Sequence, residues 1–246
     1  MPETELIYPD WPAPASVKAV SSTRLGGFSQ PPWEGLNLGD HVGDDPSAVA
    51  ANRRQLLHMT GATQSPCWLQ QVHGARVVSA TRLGCEADAS ITGQPGEVCA
   101  VMTADCLPLL LCDLRGSRVA AVHAGWRGLA AGVIENALDG VDCPPRDILA
   151  WLGPAIGPSA FDVGSEVRQV FLQQDGRASR AFVANRRDHW LADIYLLARL
   201  KLMSKGVRQI SGGDYCTYSD SRRFFSYRRD GQTGRMASLI WLSGKA

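Results

Sequence analysis

The sequence predicts a mixed α/β protein folded as a single domain over residues 1–246. Three observations lead there. Short apolar runs bounded by turn signals alternate with longer runs of helical period. Several of the strand-like runs are joined by hairpin-length turns rather than by helices. No linker rich in Pro, Gly or Ser divides the chain, and no fixed-period repeat appears. Apolar residues make up 45% of the 246, enough for a sizeable core.

The elements follow in chain order. The run VKAVSSTR (residues 17–24) alternates and reads as a strand. The next segment, GGFSQPPWEGLNLGDHVGDDP, is dense in Gly, Pro, Asn and Asp, so a long loop is expected, of the kind that often carries function. PSAVAANRRQLLHMTG is a helix with Pro46 at its start and Gly61 at its end. CWLQQVHGARVVSA reads as a strand pair, or a strand with a turn at His73–Gly74. CAVMTADCLPLLLCD and SRVAAVHA are β-rich runs separated by the turn LRGS. GLAAGVIENALDGV is a helix, DILAWLGPAIGP a buried strand entering a Gly/Pro loop, and SEVRQVFLQQ a second helix. LADIYLLARLKLMSKG carries apolar residues at Leu191, Ile194, Leu197, Leu200 and Met203 before Gly206, which predicts an amphipathic helix. Strands around RQISGGDYC and MASLIWL complete the fold.

Composition removes several functional classes. Lys plus Arg is 25 against Asp plus Glu at 24, so no nucleic-acid or anionic-membrane partner is expected. The basic charge is uneven, however. RRFFSYRRDGQTGR holds five Arg in fourteen residues, which suggests one local anion site. The N-terminal MPETELIYPDWPAP has neither a basic n-region nor an apolar h-region, so no secretory signal is expected. No apolar run approaches the roughly 18 residues of a membrane span. Seven Cys in no framework spacing and without CxxC fit a reduced, cytoplasmic protein.

The turn at Arg115–Gly116 has a consequence for chemistry. If those two residues form the loop, Leu114 faces Ser117 and Cys106 faces Gly125. His123 is then the diagonal neighbour of Cys106 on the same face, roughly 7 Å away between backbones. A loop one residue longer or shorter would place them on opposite faces. Three readings fit such a pair. It can be a thiolate nucleophile with its base, part of a zinc site with an open position, or two buried residues without chemistry. His73, in QQVHGAR at a strand-to-turn junction, completes a His₂Cys set that suits Zn²⁺. Copper is disfavoured: a multicopper oxidase needs about ten His, and this chain has five, none in an HxH pair.

Anion-binding candidates surround that set. After His123 the chain turns through Gly125 into a helix, whose N-terminus with Arg127 can hold a phosphate. Arg24, at the end of a strand, is a second candidate; Arg228 with Arg229 is a third, with a solvated surface cluster as its alternative. Asp105, beside Cys106, is a candidate general acid/base or ligand orienter, and equally an ordinary cap. Asp88, in CEADASITG, carries the same ambiguity.

Eight ordered motifs now carry a resemblance. QVHG, ADAS, VMTADCLPLLL, AAVHAGWRGLAAGV, WLGPAIGPSAFDVG, LADIYLLAR, GGDYCTY and FFSYRRDGQTGRMASLIWL together resemble the bacterial peptidoglycan editing factor family, from about Val17 to Leu242. That family is also called the polyphenol oxidase or laccase-domain family, and its members are described as purine nucleoside phosphorylases. The resemblance implies a layered sandwich of mixed β-sheets flanked by helices, akin to the Cys–His deamidating toxin domains. It implies a zinc held by His73, Cys106 and His123. It implies phosphorolysis of adenosine, inosine and methylthioadenosine to base and (methylthio)ribose 1-phosphate, with adenosine deamination as a side activity and a link to peptidoglycan precursor editing. Purine nucleosides and phosphate are then the partners, and a monomer is favoured. Arg24, Arg127, Arg228 and Gly125 are expected at the substrate, with Cys106 and Asp105 at the chemistry.

Overall fold

A computed structural model of the chain describes residues 5–81 and 84–244. In chain order the strands and helices begin with β1 (Leu6–Ile7), β2 (Val17–Ser22) and α1 (Pro46–Thr60). Asp45 caps α1 by accepting from the Ser47 N–H, and Gly61 ends it in the left-handed conformation that glycine adopts without strain. Next come β3 (Val77–Ser79), β4 (Ala89–Thr92), β5 (Val98–Thr103), β6 (Leu107–Asp113) and β7 (Val119–Ala124). Then α2 (Trp126–Ala131), α3 (Val133–Val141), β8 (Ile148–Leu152), β9 (Asp162–Gly164) and α4 (Ser165–Gln174) follow. The chain closes with β10 (Phe182–Arg186), β11 (His189–Ala192), α5 (Ile194–Ser204), β12 (Gln209–Gly212), α6 (Tyr227–Asp230) and β13 (Met236–Leu242).

The strands form three sheets, so the mixed α/β expectation holds. A six-stranded sheet runs β12-β8-β6-β7-β4-β3, antiparallel in its middle and parallel at both outer pairs. An antiparallel sheet runs β1-β2-β13-β5, and a small one β10-β11-β9. Leu107, Leu109 and Leu111 of β6 face a core shared with α2 to α5. Leu110 and Cys112 face the other way, into a core shared with Cys99 and Val101 of β5 and Ile240 of β13. β6 is covered on both faces, which is why its sequence is a continuous apolar run rather than an alternation. Val20, Met102 and Leu239 on the far face of the four-stranded sheet meet Leu56 of α1 and Leu36 and Leu38 of the long loop. The layers are therefore helices, sheet, sheet, then helix with loop, the sandwich that the resemblance implied. Among the described residues, no helix is long and apolar enough to cross a membrane.

Four local expectations are corrected. CAVMTADCLPLLLCD is two strands in different sheets, broken at Asp105, which has φ 93°. The helix after His123 is also two, because Gly132 adopts φ 92° between α2 and α3. Leu191 belongs to β11 rather than to a helix, and Met203 is exposed, so α5 starts at Ile194 and hides most of its circumference. CWLQQVHGARVVSA has the turn expected at His73–Gly74 but not a strand pair: it contributes β3 and two isolated bridges, since backbone donors of its turn go to a side chain instead of a ladder.

The long loop is tied down by Asn52 of α1, which is fully buried. Its Oδ1 accepts from the Phe28 N–H, and its Nδ2 donates to Ser29 Oγ and to the carbonyls of Gly35 and Asn37. His41, four residues beyond Asn37 in the same loop, lines the cavity described next.

Candidate metal and substrate site

The β6–β7 hairpin has the register that the turn implied. Leu107 pairs with Ala124 and Cys112 with Val119, so the next step outward sets Cys106 against Gly125. A Cβ on Gly125 would lie 2.9 Å from Cys106 Sγ and 3.1 Å from His73 Cδ2. Glycine at 125 therefore makes the room in which these side chains meet. His73 Nε2 lies 3.7 Å from Cys106 Sγ, and the His73 and His123 rings stand edge to face, 4.8 Å between centroids. One ligand atom from each of His73, Cys106 and His123 lies within 4.8 Å of the others.

Asp88 organises this group from behind. Its carboxylate is fully buried and accepts from the consecutive N–H groups of Val72, His73 and Gly74 at 3.3, 2.9 and 2.7 Å. These bonds hold His73 in a turn at φ 60°. The same carboxylate lies 2.8 Å from His123 Nδ1. With the ring proton on Nδ1, Nε2 of His123 presents its lone pair to the group. Burial alone would raise the Asp88 carboxyl, but the His123 ring and the turn N–H groups outweigh it and hold it low.

The thiol and the imidazole shift toward an ion pair. Burial raises the Cys106 thiol, yet His123 and His73 overcome that and bring it down to about 6. Burial lowers His123, while Cys106 and Asp88 push it up to about 9. A metal ion fits the same geometry. Zinc-to-sulfur and zinc-to-nitrogen bonds of about 2.3 and 2.1 Å at a tetrahedral angle put S and N about 3.6 Å apart. The His73–Cys106 separation of 3.7 Å matches that edge, while the three ligand atoms together lie within 4.8 Å of one another.

The group lies in a cavity of about 530 Å³, within the range of small-molecule sites. Met102, Trp126, Ile156, Phe161, Ile194 and Tyr227 supply its apolar wall. Arg127, Arg228, Arg235 and His41 supply polar groups. Arg127 is exposed and lies over the Trp126 ring at 4.4 Å. Arg228 is exposed and donates from Nη1 to the Asp162 carbonyl at 2.6 Å.

Asp105 also lines the cavity, but each oxygen is engaged: Thr217 Oγ1 donates to Oδ1 at 2.6 Å and the Arg228 N–H to Oδ2 at 2.7 Å. Those bonds tie three segments of wall together. Arg24 is placed elsewhere. Its guanidinium donates to the carbonyls of Ser221 and Glu34 and stacks over Phe225 at 4.7 Å, outside the cavity lining. Arg229 likewise turns away, to the carbonyls of Thr217, Tyr218 and Phe224 and to Asp230. The helix expected to offer an N-terminus after Gly125 is α2, six residues long, because Gly132 cuts it short.

Sequence reasoning left Asp88 ambiguous and did not single out Arg235 or His41. A signal for Asp88 existed: a His–Gly turn exposes consecutive donors that need a buried acceptor. The signal for Arg235 lies in strand pairing. Met236 pairs with Thr103, so Arg235 stands one step further, beside Ala104 and the Asp105–Cys106 break.

Fold and site together define a class: a layered mixed α/β protein whose cavity floor is a His₂Cys group able to hold a metal ion. Comparison with known proteins makes this specific. The chain belongs to the family described as multi-copper polyphenol oxidoreductase laccase, which matches residues 18–243. It is 55% identical over 242 residues to the Escherichia coli K12 protein named purine nucleoside phosphorylase YfiH, covering 97% of this chain and 99% of that one. A Pseudomonas aeruginosa relative, also named a purine nucleoside phosphorylase, is 54% identical, covering 96% and 98%. A crystal structure of a Neisseria meningitidis protein superposes with a TM-score of 0.94 at 48% identity, covering 97% of this chain and 99% of that one.

Proposed function

We propose that this chain is a zinc-dependent purine nucleoside phosphorylase acting on adenosine, inosine and methylthioadenosine, with adenosine deamination as a side activity, and that residues 1–246 act as one catalytic domain. The observation that carries the reading is the His73–Cys106–His123 group on the floor of a mostly apolar cavity, beside Arg127, Arg228 and Arg235, none of which forms an ion pair with a carboxylate among the described residues. The names of the E. coli and P. aeruginosa relatives support the substrate class. The His₂Cys donors suit zinc, and five His are too few for a multicopper oxidase, which argues against laccase chemistry.

In phosphorolysis a phosphate oxygen bonds to ribose C1′, the C1′–N9 bond breaks, and its electron pair leaves with the purine. The chain's residues divide the work by position. Phe161, Trp126 and Tyr227 offer aromatic surface for the base. Arg127 and Arg228 stand at the substrate by charge. Asp105 keeps the wall bearing Arg228 in place. Asp88 keeps the His123 Nδ1 proton, so that Nε2 serves as a ligand. Bound zinc supplies Lewis-acid polarisation.

A second reading has its own observation. The Cys106 thiol at about 6 beside His123 at about 9 is also the signature of a metal-free cysteine hydrolase. Metal analysis beside a phosphate-dependent inosine assay separates the two. Near-stoichiometric zinc with ribose 1-phosphate as product supports the phosphorylase. Turnover that needs no phosphate and ignores chelators sinks it, as does bound copper with O₂ uptake.

A further inference from the structure

The main cavity continues past His41, Tyr227 and Arg235 into an open annex of about 310 Å³, lined also by Val42 and the turn Gly231–Thr233. Two polar groups of this annex have capacity to spare: Arg235, which lies over the Tyr227 ring at 6.0 Å, and Thr233. Arg235 is half-buried and spends Nη1 on the carbonyls of Thr233 and Gly234, both at 3.0 Å. Among the described residues no carboxylate forms an ion pair with it. Asp105 and Cys106 exert only a distant pull, and Asp105 is saturated by Thr217 and Arg228. Thr233 is 1% exposed, and its hydroxyl has no hydrogen-bond partner. A partly desolvated cation and an orphan hydroxyl side by side in one groove are each unfavourable alone. An anion with several oxygens relieves both.

We propose that Arg235 and Thr233 form the subsite for a tetrahedral oxyanion, and that in the reaction proposed above this anion is inorganic phosphate. The identity of the anion rests on that reading; the subsite itself does not. Burial selects Arg235 over the other arginines of the cavity. Arg127 and Arg228 are exposed, so water already compensates their charge, whereas Arg235 is partly withdrawn from water and lines both the main cavity and the annex. A phosphate in the annex lies beside the Asp105–Cys106 break, close to a nucleoside held over the His₂Cys group.

The test is calorimetric titration of the purified zinc protein with inorganic phosphate, without nucleoside, followed by phosphate and inosine KM values. Arg235→Gln is expected to weaken phosphate binding about 10- to 100-fold, the range for a lost charged hydrogen bond. It should raise the phosphate KM in step and leave the inosine KM within about twofold. Thr233→Val should weaken phosphate about 2- to 10-fold with zinc content unchanged, and it carries the test if Arg235→Gln does not fold. Phosphate affinity unchanged in the folded variants, or no phosphate binding by the parent protein, overturns the subsite. Wild-type protein that binds phosphate at Arg235 but does not cleave nucleosides retires the phosphorylase reading and keeps the subsite. Normal phosphorolysis with an unchanged phosphate KM in Arg235→Gln does the reverse.

Discussion

Asp88→Asn tests whether one buried carboxylate holds the whole metal group together. The substitution changes almost no volume, so its effect is electrostatic. Oδ1 serves the His73 N–H and His123 Nδ1; Oδ2 serves the N–H groups of Val72 and Gly74. An asparagine must put an NH₂ in one of those two places. Where Oδ2 stood, the NH₂ faces two backbone donors across 2.7 and 3.3 Å, and the turn carrying His73 loses its acceptor. Where Oδ1 stood, it faces the His73 N–H, and it forces His123 to accept at Nδ1. The ring proton then moves to Nε2, the atom that should bind metal. Neither orientation satisfies the site. Loss of one hydrogen bond to a charged acceptor costs about 1.5–3 kcal/mol, and loss of a carboxylate behind a ligating His weakens metal binding about 10- to 100-fold. Competition for zinc against a chromophoric chelator measures the second effect. Thermal unfolding of the metal-free protein measures the first. Expected are weaker zinc binding by at least tenfold and a lower melting temperature even without metal. Zinc affinity within twofold of wild type would refute the reasoning, because it would mean that His73 and His123 are held by something other than Asp88.

Gly125→Ala places a methyl 2.9 Å from Cys106 Sγ and 3.1 Å from His73 Cδ2, and the backbone at φ −65° accepts alanine. Zinc content should fall while the melting temperature of the metal-free protein moves by only a few degrees; full zinc loading would show that Gly125 is not needed for space. Alkylation of Cys106 in chelator-treated protein should follow the thiolate, which persists above about pH 6 and protonates below it. The rate should therefore be high at pH 7 and fall through pH 6, whereas a rate that rises only near pH 9 would show that the two imidazoles do not stabilise the thiolate.

Pairing arithmetic was the most legible part of the sequence. A hairpin has one register per loop, so the turn at Arg115–Gly116 was enough to set Cys106 against Gly125 and bring His123 near. Helix ends were equally legible at Asp45 and Gly61, where the cap is a local side chain or a local φ. Long-range satisfaction was not. Asp88 receives donors from residues 14 to 16 positions earlier and lies against a ring 35 positions later, and no local pattern announces that. Asp105 could pass for strand because Asp tolerates positive φ without a glycine to mark it. Arg24 looked like an anion site by position alone; only the carbonyls of Ser221 and Glu34 show where its donors go.

The break at Asp105 explains why the site is where it is. β5 ends at Thr103 in the four-stranded sheet, and β6 begins at Leu107 in the six-stranded sheet. Residues 104–106 are the step from one layer to the other. At that step the two sheets part, and a cavity opens that neither sheet's side chains fill. Each ladder then delivers its own residue to the gap. β7 leaves through Gly125 and carries His123 on its last turn of pairing. β13 enters at Met236 opposite Thr103 and brings Arg235. Cys106 and Asp105 are neighbours at the seam, but they face different obligations. Cys106 points to His73, while Asp105 binds Thr217 and the Arg228 N–H across the opening. The acid that looks catalytic in the motif thus has both carboxylate oxygens engaged across the seam. The same step sets the distance between the His₂Cys floor and the Arg235 annex, since both hang from residues 103–107. Lengthening the step by one residue would leave the β6–β7 register in place, because the turn at Arg115–Gly116 sets it, but would shift the β5–β13 ladder that carries Arg235 relative to the floor, even with every functional side chain retained.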